Sequence, residues 1–525
     1  MHTPLNMSTP RVRFPPSPTG YLHIGNVRTA LFNYLFARKH GGAIVLRIED
    51  TDRERSKKEY EEDIFEALRW LGLDIDEGPE QGGDYVPYRQ SERTPIYKKY
   101  LAQLLADGKA FYCFHSEVEL EEEGKMLLAA KQPPIHACEY RDIGIAEAEE
   151  LKKSKPDNII RFKTPLERTI IFPDLIRGDV SFASDLIGDF SIAKNMDEPL
   201  YHFAVVVDDY EMKISHIIRG EDHIANTPKH ILLAKALGFP IPAYAHLPLI
   251  LGTDRSKLSK RHGAMALRDF RQAGYLPEAL INFLALLGWN PGRPPTAGEP
   301  RPKGAGGDQE IFSKEELVQE FSLEKVQKSG AVFDVAKLDW MNGEYIRRKS
   351  LKELTQLCKP YLEDFFASSV SSRHSNILKN VGMSNGRIHD DYLEKIVALE
   401  QPRLKKLSEI GERAEFFFRT PEYDKELLRW KHMTDADLAA SLARSEGILS
   451  QLGNSVSKLG IEEIFFETIG EGDKGAILWP LRVALSGRKA SPGPFEIMEI
   501  LGIEESLARI RAAKEKLNTI EAKPQ

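Results

Sequence analysis

Pro16-Ser17-Pro18-Thr19-Gly20-Tyr21-Leu22-His23-Ile24-Gly25-Asn26 follows an apolar run, Val12 with Phe14, that reads as a strand. It leads into residues 27–38, where Leu31, Leu35 and Phe36 recur at helical spacing. The result is a strand, a turn and a helix. Such a turn offers unpaired backbone N–H groups and the positive end of a helix dipole to a phosphate, and its small residues let an anion approach closely. His23 and Asn26 stand where side-chain donors reach the same phosphate chain. Far downstream a basic loop, Lys257-Leu258-Ser259-Lys260-Arg261, answers this turn. Each stretch alone is a weak signal; their order and context point together to chemistry on ATP.

Outward from the turn, 43–48 predicts a continuous apolar strand ending in Glu49-Asp50. That places charge at the carboxyl edge of a sheet, where open α/β sheets bind ligands. Ser56-Lys57-Lys58-Glu59 predicts a capping box, with Ile64, Leu68 and Leu71 on one helical face and Gly72 as the stop. This alternation argues for α/β architecture with a parallel, doubly wound sheet. From about 111 to 199 the pattern turns mixed, with short strands at 159–162 and 169–172, and predicts an inserted α+β subdomain. Residues 202–207 predict a return to a buried strand, and Thr227-Pro228 opens a helix carrying Ile231 and Leu237. Residues 291–308 are dense in Pro and Gly and read as a flexible loop. Beyond Glu310 the β signals fade into helical periodicity, as in Leu501, Leu507, Ile510 and Ala513.

A chain of 525 residues exceeds one hydrophobic core, so three or more domains are expected. The net charge of −7 argues against indiscriminate coating of nucleic acid but leaves room for a local positive track. Arg255, Lys257, Lys260, Arg261, Arg268 and Arg271 gather around the second loop, and Arg347, Arg348, Lys349 and Lys352 gather further on. Each cluster reads either as an RNA track or as a solvated face. Three cysteines exclude a disulfide scaffold and suit a reducing compartment, so a cytoplasmic location is expected. No apolar stretch is long enough to span a bilayer, and the first ten residues carry neither a signal core nor a transit pattern. Met7 is an alternative start.

The HIGN turn and the KLSKR loop resemble the HIGH and KMSKS signatures of class I aminoacyl-tRNA synthetases. Residues 13–26, Leu46-Arg47-Ile48-Glu49-Asp50-Thr51-Asp52-Arg53, 205–210, Ile218-Arg219-Gly220-Glu221-Asp222-His223, 257–263, 333–347 and Ser491-Pro492-Gly493-Pro494-Phe495-Glu496 narrow the resemblance. Over nearly its whole length the chain resembles the bacterial-type glutamyl-tRNA synthetases. The resemblance implies a split Rossmann-like catalytic domain (10–110 and 201–255), with an insertion at 111–200 that grips the acceptor end of tRNA. A KMSKS and stem-contact region (256–345) and an all-α anticodon-binding region (346–525) follow. It also implies ATP-dependent attachment of L-glutamate to tRNA(Glu) through a glutamyl-adenylate, with Mg²⁺ accompanying ATP and a monomeric enzyme. His23, Lys257 and Lys260 take the catalytic roles, and Gly25, Asn26 and Lys260 hold ATP. Arg13 and Arg219 take the γ-carboxylate with Ser17 and Tyr201 assisting, and Glu49 takes the α-ammonium. Two departures stand out: Pro15 where relatives often have Ala, and Val205 where some have an Asn that contacts substrate.

The chemistry suits these residue types. Attack of a carboxylate on the α-phosphate crowds negative charge into the transition state, which preorganised donors and ammonium groups neutralise. A guanidinium gives a carboxylate paired, charge-assisted hydrogen bonds that a glutamine amide cannot match. The structural alternative is that Arg13 and Glu49 merely pair with each other on the strand edge. Cys113-x-His115 and His136-x-Cys138 make two close ligand pairs, enough for a tetrahedral zinc, or else an ordinary histidine pair beside buried thiols. Some relatives carry zinc in this insertion with cysteines at other registers, Tyr140 being a candidate for one of those positions. A truncated glutamyl-queuosine tRNA synthetase would lack the helical half, a small nucleotidyltransferase would not need Arg13, Glu49 and Arg219 together, and a non-catalytic tRNA-binding relic would not keep both loops intact. Charging of tRNA(Gln) is left open by the sequence.

Overall fold

The computed structural model describes residues 9–165, 169–259, 266–291, 310–369, 383–384, 387–452, 458–470 and 472–518. The chain forms two compact units, Met1–Arg271 with Pro277–Leu338, and Gln272–Leu276 with Asp339–Gln525.

In the first unit, strands Arg11–Phe14 and Ala43–Leu46 pair in parallel, with Arg13 opposite Val45. Ser215 N–H donates to Arg11 O at 2.9 Å, and Arg11 N–H donates to Ser215 Oγ at 2.8 Å. These bonds set His216–Gly220 on the other side of Arg11–Phe14, and Ala243–Leu247 runs parallel beyond it. The chain order reverses between Arg11–Phe14 and His216–Gly220. That is the switch point at which such sheets open a crevice at their carboxyl ends. Helix Ile24–Lys39 leaves the first strand through the HIGN turn, with Val27, Leu31 and Leu35 buried. Helix Thr227–Leu237 begins with Pro228 in its first turn and stops at Gly238, whose φ of 73° is the left-handed conformation.

Three local expectations are corrected. Residues 202–207 lie in the helix Tyr201–Glu211, not a strand. The run Val205-Val206-Val207 favours extended backbone, but burial of Phe203, Val207, Asp208 and Asp209 on a helix outweighs that preference. The capping box at Ser56 does not form, because the helix Lys58–Leu71 starts later, with Lys57 at its N-cap and no side-chain cap. Gly72 does end that helix, at φ 63°. The strand read at 169–172 is Thr169–Asp174, which forms a hairpin with Gly178–Ala183 and lies parallel to Ala243–Leu247 through Tyr244 opposite Asp174. Its alternation marks one buried face and cannot say which sheet it joins.

The rest of the 111–200 stretch builds a separate antiparallel sheet in the order Ala110–Cys113, Ile159–Phe162, Phe190–Asn195, Glu198–Pro199. Both sheets feed one hydrophobic cluster, in which Phe162 and Ile192 join Phe172, Phe203 and Tyr244. The second unit is helical from Leu351–Ser369 to Ile503–Asn518. Its β structure, among the described residues, is the two-residue pair Met383–Ser384 and Arg387–Ile388. Leu501, Ile510 and Ala513 are buried there, and Leu507 is half-buried. Of the Pro- and Gly-rich stretch read at 291–308, residues 292–308 lie outside the described residues. No helix among the described residues is long and apolar enough to cross a membrane.

Candidate active site

A cleft of about 530 Å³ opens at the switch point. Arg13, Ser17, His23, Gly25, Asn26, Glu49, Tyr201, Arg219 and Lys257 all line it, so the structure brings together every candidate it describes. Lys260 lies outside the described residues. Val205 and Pro15 also line the cleft, so this part of its wall is aliphatic.

One end of the cleft is built by the turn. His23 caps the helix, its Nδ1 accepting from Gly25 N–H at 3.0 Å, so Nε2 carries the ring's proton as a donor. Leu22 N–H is tied to Asp63 Oδ2 at 2.8 Å. The chain returning from the KLSKR loop meets this turn: Leu267 N–H donates to Leu22 O at 2.9 Å, and His23 pairs with Ala266. Lys257 Nζ reaches Asp222 Oδ2 at 3.2 Å on the cleft wall. Leu249, Ile250 and Leu258 supply an apolar stretch of the lining.

The other end is a buried charge lattice. Arg13 Nε donates to Asp209 Oδ1 at 3.2 Å, and Arg47 Nη1 donates to the same oxygen at 2.8 Å. Arg47 also holds Glu49 Oε1, through Nη2 at 2.9 Å and Nε at 3.3 Å. Arg93 Nε donates to Asp208 Oδ1 at 2.7 Å, and Gln90 Nε2 and Tyr97 OH satisfy Asp208 further. Arg13 and Glu49 therefore do not pair with each other; each has its own partner. Burial raises the Glu49 carboxyl, against the lowering effect of Arg47 and Arg13. Burial also opposes ionisation of Asp209, but Arg13 and Arg47 hold it below the usual carboxylate range. Arg13 Nη1 is buried with no hydrogen-bond partner, an orphaned donor on the cleft wall.

Arg219 is held differently. It is 5% exposed, and its partners are neutral: His246 Nε2 at 3.2 Å, His230 Nδ1 at 3.3 Å, Thr227 Oγ1 at 2.8 Å and His223 O at 3.3 Å. His202 Nδ1 stands 3.2 Å from His230 Nε2. Burial and the nearby cations depress His202 and His223 to about 4 and His230 well below its ordinary value. The surrounding imidazoles stay neutral, and no carboxylate hydrogen-bonds to the Arg219 cation among the described residues.

Asp208, Asp209 and the histidines around Arg219 escape sequence reasoning. The one available signal was Asp208-Asp209 at the end of an apolar run, where two adjacent carboxylates need buried cations.

A second cluster lies in the insertion. One ligand atom from each of Cys113, His115, His136 and Cys138 falls within 4.8 Å of all the others. Cys113 Sγ lies 3.5 Å from His115 Nδ1 and 3.7 Å from His136 Nε2, and Cys138 Sγ lies 3.7 Å from His115 Nδ1. A zinc tetrahedron with ordinary Zn–S and Zn–N bonds has S···N edges of about 3.6 Å, so the four donors fit the ion. Glu123 holds His136 Nδ1 and turns its Nε2 toward the thiols, the usual second-layer arrangement of a ligating histidine. Tyr140 packs its ring beside His115, and its OH accepts from Lys155 Nζ at 2.7 Å.

Residues 10–340 match the family model described as tRNA synthetases class I (E and Q), catalytic domain, and residues 353–514 match an anticodon binding domain. The chain is 45% identical over 510 residues to glutamate–tRNA ligase 1 of Caldicellulosiruptor saccharolyticus, covering 96% of this chain and 99% of that one. It is 43% identical over 513 residues to glutamate–tRNA ligase 1 of Syntrophomonas wolfei, covering 97% and 96%. A crystal structure of a glutamate tRNA ligase from Elizabethkingia meningosepticum, in complex with its amino acid, superposes with a TM-score of 0.81 at 35% identity, covering 97% of this chain and all of that one.

Proposed function

The chain belongs to the class I tRNA synthetases for E and Q, glutamate and glutamine, and from that premise we propose that it attaches L-glutamate to tRNA(Glu). An α-carboxylate oxygen of glutamate attacks the α-phosphorus of ATP, and the bond to the bridging oxygen breaks to release diphosphate. The terminal ribose hydroxyl of tRNA then attacks the glutamyl carbonyl and AMP leaves. Mg²⁺ enters with the phosphates as part of the nucleotide substrate.

The observation that carries the reading is Arg219, a buried cation on the cleft wall whose hydrogen-bond partners among the described residues are all neutral acceptors. Burying a charge without its counter-charge is costly, and a γ-carboxylate supplies that counter-charge. Arg13 Nη1 adds a second donor, with Ser17 and Tyr201 beside it, and Glu49 receives the α-ammonium. His23 Nε2, the backbone N–H groups of Gly25 and Asn26, Lys257 and Lys260 take the phosphates. Leu249, Ile250 and Leu258 face the adenine. Zinc held by Cys113, His115, His136 and Cys138 fastens the insertion, which grips the acceptor end, while the helical region from about 346 reads the anticodon. We place the enzyme in the cytoplasm as a monomer.

Arg219→Gln tests the assignment. Aminoacylation should show a rise of about 100-fold or more in KM for glutamate with KM for ATP within a few-fold of wild type. Equal losses for both substrates would reduce Arg219 to a structural role. Charging purified tRNA(Glu) and tRNA(Gln) in parallel, with glutamine as control, measures how wide the tRNA range is.

A further inference from the structure

A guanidinium only donates hydrogen bonds, so the ring nitrogens that meet Arg219 must accept. His246 Nε2 faces Arg219 Nε at 3.2 Å and Thr227 Oγ1 at 3.0 Å, which puts the ring proton of His246 on Nδ1. Nδ1 in turn meets Asp174 Oδ2 at 2.6 Å. Both residues are buried, His246 completely and Asp174 at 4% exposure. Asp174 is itself fixed, accepting the backbone N–H groups of Ile176 at 3.0 Å, Arg177 at 2.8 Å and His246 at 3.1 Å. The Arg177 guanidinium is the nearby cation, and it is occupied by Glu221 and by His246 O.

We propose that Asp174, acting through His246, is a positioning residue for glutamate: it fixes the imidazole tautomer that holds Arg219 in place without neutralising it. An aspartate in direct contact would also fix the arginine, but it would occupy the charge that the substrate needs. One neutral ring between carboxylate and guanidinium separates the two tasks. The opposite tautomer would set Nε2–H against Arg219 Nε–H, donor against donor, and push the guanidinium away. The consequence is selectivity for a carboxylate side chain over an amide. This inference rests on the reading that Arg219 receives the γ-carboxylate.

Asp174→Asn keeps an oxygen for the backbone N–H groups but can present an amide donor to His246 Nδ1. The expected result is a rise of about tenfold to a hundredfold in KM for glutamate, a reduced preference for glutamate over glutamine, and KM for ATP near wild type. Adding His246→Gln supplies an oxygen near the place of Nε2 that needs no carboxylate to orient it, and should recover much of the loss. In the wild-type protein, ¹⁵N NMR of His246 should show the proton on Nδ1. An Nε2-protonated ring would overturn the proposal without any variant. So would an Asp174→Asn enzyme with normal glutamate KM, or one in which glutamate and ATP suffer equally. If Arg219→Gln impairs glutamate use while Asp174→Asn does not, only the positioning role fails. If Arg219→Gln leaves glutamate use intact, the substrate assignment fails and this inference falls with it.

Discussion

Arg13 and Glu49 line the same cleft without bonding to each other: Arg13 gives its Nε to Asp209 at 3.2 Å, and Glu49 takes Arg47 at 2.9 Å. Each side chain is anchored from behind and remains available in front. Asp209 is the hinge of this arrangement, since a single oxygen receives both Arg13 and Arg47. Removing its charge leaves buried Arg13 without a carboxylate partner and takes one of several from Arg47, which keeps Glu49. Asp209→Asn should therefore cost about 3–5 kcal/mol of stability, read from denaturant unfolding. A loss below about 1 kcal/mol would mean that the lattice does not depend on that carboxylate.

Stability should fall as pH falls from about 6.5 toward 4. His202 and His223 keep pKa values depressed to about 4 from 6.5, mainly by burial, so across this window the unfolded chain binds protons that the native state refuses. Each such proton contributes a slope of ~1.4 kcal/mol per pH unit. Unfolding free energies of wild type and His223→Asn, measured from pH 8 to 4.5, should diverge only below pH 6.5, with the variant less steep. Parallel curves would show that His223 titrates normally.

Purified protein should carry one zinc per chain by elemental analysis. Cys113→Ser should lose the ion and lower the melting temperature by several degrees, because ligand binding is linked to folding of the insertion. KM for ATP should hardly move, since none of the four ligands lines the cleft. A wild-type protein free of zinc after purification without chelator would end this assignment.

Lys260→Ala should slow adenylate formation by about a hundredfold or more with little change in glutamate affinity, because an ammonium near the leaving diphosphate acts on charge that develops in the transition state. Single-turnover kinetics separates the step from binding. An unchanged activation rate would exclude Lys260 from the chemistry.

Much of the cleft was legible because its residues sit at breaks in pattern: Arg13 within a short apolar strand, the HIGN turn before a helix, Glu49 at the end of another strand. These are positions where periodicity and charge conflict locally. The Arg47, Asp208 and Asp209 lattice was not, because its bonds run between residues up to 162 positions apart. His246 and Asp174 were hidden for the same reason, 72 positions apart and each unremarkable in its own strand. Residues 202–207 misled outright, since β-branched side chains mark burial as readily as they mark strands. The Cys-x-His and His-x-Cys pairs were visible as pairs; only folding shows their four atoms within 4.8 Å.

The hairpin Thr169–Asp174 with Gly178–Ala183 bears on how this protein could be rebuilt. A chimera that exchanged everything from 111 to 200 for another family member's segment would remove two strands of the catalytic sheet, one of them the neighbour of Ala243–Leu247. Graft junctions that spare the nucleotide fold fall on either side of the hairpin, near 164 and 188. The exchangeable part is thus two separate pieces of chain, which have to be replaced together.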